Sequence, residues 1–264
     1  MPKQFLSPEL LRGFGQAAAA AAAAIVVMLL ARTRRIHVER ETAVALVRGL
    51  LQIVAVGSVL AVLLRGPRWT SVFILALMTL AAAATSARRA KRIPGAFRAS
   101  LYGIAGGAGL IIVLMTLVGA IDPGIATLIP VGSMLIANAM NANGLALDRF
   151  RSEVQAHVGH IESALALGAA PEAAVARYVQ GSYQASLIPA IDNLRSLGIV
   201  WIPGLMGGMV LSGSPPIYAA VYQFVVLSMI FAASGLTCLI STTLIRSRAF
   251  SPAEQLVLRQ TPGA

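Results

Sequence analysis

Seven long apolar stretches, separated by shorter basic segments, constrain the fold of this chain more than any other feature. A helix needs about 20 mostly apolar residues to cross the hydrocarbon core of a bilayer. The stretches that reach or approach this length are Gln16–Ala31, Thr42–Leu64, Trp69–Ala87, Ser100–Ile121, Gly124–Leu147, Ser196–Ser212 and Pro216–Ile245. The sequence therefore predicts an all-α, polytopic membrane protein with about seven transmembrane helices.

The composition supports this class and excludes others. Of the 264 residues, 57% are hydrophobic and only 12% are charged, whereas about 25% of residues are charged in average proteins. So few charges could not cover a water-soluble globule of this size. We therefore exclude a soluble enzyme, a disordered protein and a nucleic-acid-binding protein, although the net charge is +11. Residues 1–264 are predicted to form a single transmembrane domain.

The basic residues predict the orientation of the chain. Most of the 21 lysines and arginines follow the first, third, fifth or seventh stretch. Loops on the cytosolic side carry an excess of these residues. We therefore predict an N-terminus outside the cell, a C-terminus in the cytosol and an odd number of spans. The predicted location is the cell (inner) membrane, with multiple passes.

Acidic residues are absent from the predicted spans. All ten lie in loops or at membrane ends. Carriers driven by protons or sodium often hold ionisable groups near the bilayer midplane, where they bind the coupling ion. Two alternatives follow: an ATP-independent channel or carrier for a small solute, or a transporter driven by a second protein. A non-transporting membrane scaffold is a third.

Polar side chains in the fifth span follow helical spacing. Met134, Asn138, Asn141 and Leu145 share one helix face. Amides in a membrane helix either bond neighbouring helices or line a path for cargo, and thioethers are soft metal ligands. The candidates for a translocation path are Met134, Asn138, Met140, Asn141, Met206 and Met209.

Small residues and one proline indicate close packing or a gate. Gly103 and Gly107 have the four-residue spacing that lets membrane helices approach closely, as do Gly204 and Gly208. Pro203 precedes the second pair and favours a kink, because it lacks a backbone N–H. Pro203, Gly204 and Gly208 are therefore the gate or packing candidates.

Motifs for metal or nucleotide binding are weak or absent. His37, Glu39 and Glu41 could contact one ion, but the pattern favours a solvated, charge-paired helix end over a metal site. No Gly-x-x-x-x-Gly-Lys-Ser/Thr phosphate loop occurs in the sequence. We therefore expect no cofactor in this chain, and no enzymatic activity of its own.

One long connection is predicted to be cytosolic, the insert 148–195 between spans 5 and 6. It reads as two helices, about Asp148–Leu167 and Pro171–Ser186, because Gly168 suits a helix end and Pro171 suits a first helical turn. The intervening Glu-x-Ala-x-x-x-Gly motif resembles the start of the coupling-loop pattern of ABC importer permeases. The coupling candidates are Glu162, Ala164, Leu165, Leu167, Gly168 and Pro171.

The second half of the chain, taken together, resembles a known family. The motifs that carry the resemblance are Asn138-Ala-Met-Asn-Ala-Asn-Gly-Leu-Ala-Leu-Asp-Arg149, Glu162-x-x-Leu-Ala-Leu-Gly-Ala-x-Pro171, Leu187-Ile-Pro-x-Ile-Asp-Asn-Leu-Arg-Ser-Leu-Gly198, Pro203-Gly-Leu-Met-Gly-Gly-Met209 and Tyr222-Gln-Phe-Val-Val226. Together with Ile36-His-Val-Glu-Arg-Glu41 and Arg48-Gly-Leu-Leu-Gln52, they are similar to the FetB-type permease family, the membrane subunits of ABC transporters associated with iron export.

The resemblance implies a function and a set of partners. Such a permease pairs with a cytosolic P-loop ATP-binding subunit, which holds ATP and Mg, and two copies of each protein form the pump. Bacterial members imply export of metal ions such as iron and a role in metal homeostasis. Plant relatives are linked to aluminium tolerance, and a nucleotide sugar is an alternative cargo. Asn143 stands where the family pattern leads us to expect isoleucine.

Overall fold

The computed structural model describes residues 8–34, 39–63, 67, 69–90, 93–251 and 253–258, without the side chains of 8–11, 39–41 and 58–63. Helices make up almost all of these residues, and this part of the chain contains no β-strand. The all-helical prediction is therefore confirmed. The internal contacts divide the chain into two units, Met1–Gly66 and Pro67–Ala264.

The first unit holds two helices that contact each other, α1 (Pro8–Thr33) and α2 (Glu39–Leu63). α1 carries an alanine run followed by Ile25-Val-Val-Met-Leu-Leu30 and is long and apolar enough to cross a membrane from Arg12 to Thr33. Most of its described side chains are exposed, as expected of residues that face lipid.

The second unit contains the remaining helices. They are α3 (Trp69–Arg89), α4 (Ala96–Ile104), a π-helix (Ala105–Gly109), α5 (Leu110–Leu117), α6 (Ile125–Ala156), α7 (Val158–Ala166), α8 (Pro171–Ser196), α9 (Gly204–Leu211), α10 (Pro216–Arg246) and a 3₁₀ turn (Ser247–Ala249). The two longest, α6 and α10, lie at the centre: α6 packs on α3 and α8, and α10 packs on α4, the π-helix and α8.

Glycines bring α4 and the π-helix against α10. A β-carbon on Gly103 would lie 3.0 Å from the Thr237 carbonyl oxygen, and one on Gly107 would lie 2.7 Å from Thr237 Cα. Backbones can approach this closely only where a side chain is missing, which is the role that small residues have in membrane helix packing. The Gly103–Gly107 pair therefore acts in packing.

Five described helices are long and apolar enough to cross a membrane. They are Arg12–Thr33, Trp69–Arg89, Ala96–Leu117, Ile125–Ala156 and Pro216–Ala249, which correspond to the first, third, fourth, fifth and seventh predicted spans. The second predicted span lies in α2, where the described apolar helix runs over Thr42–Gly57 and is shorter. The total of seven spans stays a prediction.

The sixth predicted span, Ser196–Ser212, is not one helix. α8 ends at Ser196, Gly198 adopts φ +75°, and α9 begins only at Gly204. Pro203 is the residue before α9, with an extended backbone, so it starts a helix and does not kink one. The eight residues of α9 reach about 12 Å, well short of the roughly 30 Å hydrocarbon core.

The insert between the fifth and sixth predicted spans differs from the prediction at three points. α6 runs on to Ala156 and is broken at His157, so the first insert helix is not continuous from Asp148 to Leu167. The second helix reaches Ser196 and passes through Pro189, where we expected it to end at Ser186. The turn between them is as predicted, because Gly168 adopts φ +86° and Pro171 is the first residue of α8.

The register of α8 explains why its second half is not remote from the fifth span. Val175 and Tyr178 pack in an apolar cluster with Phe150 and Val154 near the C-terminal end of α6. Farther along, Pro189 and Asn193 line a cavity with Asn138 and Asn141 of α6. α8 therefore runs antiparallel to α6 and returns beside the predicted span.

Candidate functional site

A cavity of about 190 Å³ lies between α6 and α8, and we call it the polar cavity after the polar side chains in its mixed lining. Its lining comprises Arg89, Asn138, Asn141, Ala142, Leu145, Ser186, Pro189, Ala190, Asn193 and Ser234. Three amides, two hydroxyls and one guanidinium thus converge on a space that would hold about six water molecules at their liquid volume. The lining includes no acidic side chain.

The asparagine face of α6 forms one wall of this polar cavity. Asn138 Nδ2 donates a hydrogen bond of 2.8 Å to the Met134 carbonyl oxygen, one turn earlier on the same helix. Asn141 is exposed, and its side chain bonds to no residue that the structure describes. Neither amide links α6 to a neighbouring helix in the described structure. Their amide groups are therefore available to the polar cavity.

The opposite wall comes from α8, with one residue of α10. Ser186 Oγ donates to the Tyr183 carbonyl oxygen at 2.7 Å and lies 3.5 Å from Cys238 Sγ. Ser234 of α10 lines the same space and is only 1% exposed.

Arg89 at the end of α3 supplies the only charge in the lining. Its side chain crosses α6 at Gly144, where an added β-carbon would lie 2.9 Å from Arg89 Cδ. Gly144 therefore leaves the room that lets the arginine reach the asparagine face. Sequence reasoning counted Arg89 among the residues that record topology and missed it as a site residue.

The asparagine that joins helices is Asn143, not Asn138 or Asn141. Asn143 is fully buried, and its Nδ2 donates to Ser86 Oγ at 2.7 Å and to Ser100 Oγ at 2.9 Å. Ser241 Oγ donates to Asn143 Oδ1. These bonds join α6 to α3, α4 and α10, and each satisfies polar groups that could find no water in a membrane.

The methionine candidates lie outside the polar cavity. Met134 and Met140 are partly buried against the apolar core of the second unit. Met206 and Met209 lie on α9, where the backbone N–H of Met206 donates to Gln223 Oε1 at 3.2 Å. This bond satisfies one of the amides that a helix start leaves open. The structure thus does not bring the thioethers and the asparagines into one site.

The gate candidates differ in how closely they pack against neighbouring atoms. Pro203 is buried and precedes α9. A β-carbon on Gly204 or Gly208 would meet no atom of the described chain within 4 Å, in contrast to Gly103 and Gly107. The second glycine pair therefore makes no close helix contact within this protomer.

The coupling candidates form the second functional feature, which we call the elbow, residues 162–171. Leu165 packs against the apolar cluster that contains Phe150 and Ile161, whereas Leu167 is 89% exposed at the turn. Glu162, Leu165, Gly168 and Pro171 line a cavity of about 650 Å³ together with Ala253–Leu256. No sequence pattern predicted that the C-terminal segment lies beside the elbow.

The residues on either side of the elbow contact both long central helices. Glu172, directly after the elbow, forms an ion pair with Arg246 at the end of α10, with 3.0 Å between Oε2 and Nη2. His157, at the break between α6 and α7, stacks on Tyr178 of α8 with ring centroids 5.1 Å apart. The segments that flank the elbow are therefore connected to α6, α8 and α10.

The side chains of the metal candidates fall outside the described part of the structure. His37 lies outside the described residues, as do the side chains of Glu39 and Glu41. Within the residues that are described, no three His, Cys, Asp or Glu side chains come together as a metal site would require.

Comparison with known proteins assigns the family. The model of the uncharacterised protein family UPF0014 matches residues 14–250. The chain belongs to this family. The matched region includes the polar cavity and the elbow. No solved structure matches the chain.

Three relatives illustrate what UPF0014 members are called. The chain is 32% identical to UPF0014 membrane protein STAR2 of Oryza sativa subsp. japonica, over 86% of this chain and 80% of that protein. It is 30% identical to the Probable iron export permease protein FetB of Escherichia coli (strain K12), over 88% and 90%. It is 29% identical to Protein ALUMINUM SENSITIVE 3 of Arabidopsis thaliana, over 93% and 90%. The resemblance seen in the sequence is therefore confirmed, and the chain is a membrane protein of a permease family.

Proposed function

We propose that this chain is the membrane subunit of an ATP-driven exporter. The proposal rests on the elbow, a turn between two helices at which the large apolar side chain of Leu167 is almost fully exposed. A single exposed leucine is ordinary on a protein surface, so Leu167 supports the proposal through its place in the Glu162–Gly168 motif, which resembles the coupling-loop pattern of ABC permeases. The proposed partner is a cytosolic P-loop ATPase subunit that binds ATP and Mg, and two copies of each protein form the transporter.

The topology belongs to the same proposal. The N-terminus lies outside the cell, the insert 148–195 begins in the cytosol, and the protein resides in the inner membrane. The sixth crossing consists of the second half of α8, the break at Leu197–Pro203 and α9. Interrupted helices line the binding sites of many transporters, where unwound backbone faces the cargo path. The metal-export role follows the name of FetB, with iron as the starting candidate.

The shape of α8 suggests how energy reaches the cargo path. It is one helix from Pro171, at the elbow, to Ser196, beyond the polar cavity, and 26 residues extend about 39 Å. When ATP closes the partner dimer, a movement of the elbow shifts the start of α8. The same helix carries Ser186, Pro189 and Asn193 in the cavity wall. In this mechanism, α8 transmits closure of the ATPase dimer to the wall of the polar cavity and moves the side chains that line it.

Changing Leu167 to Asp is expected to weaken binding of the ATPase subunit at least tenfold without unfolding the chain, because the side chain is exposed. The measurement is co-purification with the P-loop ATPase from the native host, followed by a titration. The matched control is Gln180→Glu, which adds a charge at an exposed site of α8 away from the elbow. Leu165→Asp should instead lower stability, because Leu165 packs inside.

Two results would refute this function. In one, the wild-type chain captures no P-loop ATPase under conditions that preserve the membrane complex. In the other, the purified chain alone moves iron across liposomes without ATP, which is the behaviour of a channel or carrier.

Asn141→Ala is expected to reduce ATP-dependent iron efflux at least threefold while changing stability by less than about 0.5 kcal/mol, since the side chain is exposed and bonds to no described residue. Efflux from loaded cells and thermal unfolding of the purified protein measure the two effects. A non-transporting scaffold predicts no change in efflux. Unchanged efflux at normal protein levels would therefore remove Asn141 from the path.

A further inference from the structure

We infer that the polar cavity between α6 and α8 binds a small oxyanion and not a bare metal cation. The inference rests on the proposed function, because it names the chemical class of the cargo at that site. An exporter of iron would then carry the metal as a complex with an oxyanion ligand, or would carry the oxyanion itself.

The charge of the lining is the first argument. Among the described lining residues, Arg89 is the only ionisable one; it is an exposed residue, and an arginine stays protonated at all physiological pH values. The acidic residues on the two walls take part in other contacts or lie elsewhere: Asp192 pairs with Arg195 at 3.9 Å and Glu153 pairs with Arg149 at 2.8 Å. A bare divalent cation would therefore meet a like charge with no carboxylate to offset it.

The hydrogen-bonding groups are the second argument. The guanidinium of Arg89 presents donors in a planar fork that matches the oxygens of a carboxylate or phosphate. The amides of Asn141 and Asn193 and the hydroxyl of Ser234 add donors around the same space. Ser234 is almost fully buried, so a bound oxyanion would meet its hydroxyl away from bulk water.

The size of the polar cavity further limits the class of ligand that it can bind. At about 190 Å³, it is smaller than the 300–1,000 Å³ that is typical of sites for drug-sized ligands. It would admit a phosphate or carboxylate group but not a whole nucleotide sugar. A larger cargo would place only its oxyanion group here.

Binding of labelled inorganic phosphate and citrate to the full chain in lipid nanodiscs tests the inference. We expect saturable binding of at least one of the two, which Arg89→Gln weakens at least tenfold and Arg89→Lys weakens less. The matched control is Arg88→Gln, an exposed neighbour outside the lining, which should change affinity less than twofold. Ferric citrate and Fe²⁺ alone are the two further arms.

The arms separate the sources of the oxyanion. Stronger binding of ferric citrate than of citrate identifies a metal complex as cargo, and stronger binding of phosphate identifies a phosphoryl group. The inference is overturned if Fe²⁺ alone binds and neither anion does, if no anion binds, or if Arg89→Gln binds the anion like the wild type.

A second variant tests the inference if the Arg89→Gln protein does not fold. Ala190→Phe fills the cavity from α8 and should abolish anion binding, and retained binding would place the anion elsewhere. None of these measurements uses the ATPase subunit. A chain that captures the ATPase but binds no anion refutes only this inference, whereas a chain that binds the anion but captures no ATPase refutes only the proposed function.

Discussion

Replacing Gly107 with alanine is expected to destabilise the protein by about 3 kcal/mol, because the added methyl group would overpack the contact with α10. The added carbon would lie 2.5 Å from the backbone nitrogen of Thr237 and 2.7 Å from its Cα, and it would also meet Thr237 Oγ1. Backbone atoms of a central helix cannot move aside like the end of a flexible side chain. The π-helix would have to separate from α10, and unfolding of the purified chain in detergent measures the loss.

The same π-helix supplies the control. A β-carbon on Gly109, two residues later, would meet nothing within 4 Å. Gly109→Ala should therefore leave stability unchanged or raise it by up to about 1 kcal/mol, because alanine restricts the unfolded chain more than glycine does. Adding Thr237→Ala to the Gly107→Ala protein should restore little, since the backbone contacts remain. Equal stability of the two alanine variants would contradict the packing that we describe.

The spans could be predicted because a bilayer imposes a simple rule on length and hydropathy. α3, α6 and α10 each carry an apolar run that no soluble segment would need. α8 follows another rule: its second half contains Ser186, Asp192, Asn193 and Arg195, and a hydropathy pattern assigns such residues to water. The tertiary contacts show where it lies: Leu187 approaches Gly235 of α10, and Pro189 and Asn193 line the polar cavity beside α6.

The sequence pattern identified the residues of one wall of the polar cavity, the asparagines of α6. The helical spacing of Asn138 and Asn141 is a local property, so their shared face was predicted correctly. Arg89 enters the site through the gap above Gly144, and that meeting is a tertiary contact that no local pattern contains. The elbow was predictable for the opposite reason, because Gly168 and Pro171 determine their own backbone conformations.

In the structure, the asparagine that bonds neighbouring helices is a different residue from those that face the cavity. The sequence offered packing and cargo binding as alternatives for Asn138 and Asn141. In the structure, Asn143 joins four helices, whereas Asn138 bonds its own helix and Asn141 opens to the polar cavity. One helix therefore holds an asparagine that joins helices and asparagines that face the polar cavity, with residues 141 and 143 about 160° apart around the helix axis.

Asn143→Ala should accordingly destabilise the protein by about 2 kcal/mol, measured by the same unfolding assay. The change removes three hydrogen bonds and leaves Ser86 and Ser100 buried without their described partner, while Ser241 keeps its bond of 2.8 Å to the Thr237 carbonyl. Buried polar groups without a partner cost about 1–3 kcal/mol each in proteins, and interhelical bonds in membranes average nearer 0.6. The expected loss lies between these limits.

The combined variant Asn143→Leu, Ser86→Ala and Ser100→Ala separates lost hydrogen bonds from lost packing. Removing both partners of a buried bond together can be nearly neutral, because no polar group is left unsatisfied. We expect this protein to recover at least half of the stability lost in Asn143→Ala. Asn138→Ala should cost less than about 1 kcal/mol, since it breaks only a bond within its own helix. If Asn138→Ala proves the more damaging, the four-helix network is not what holds α6 in place, and the polar cavity is part of the protein's core.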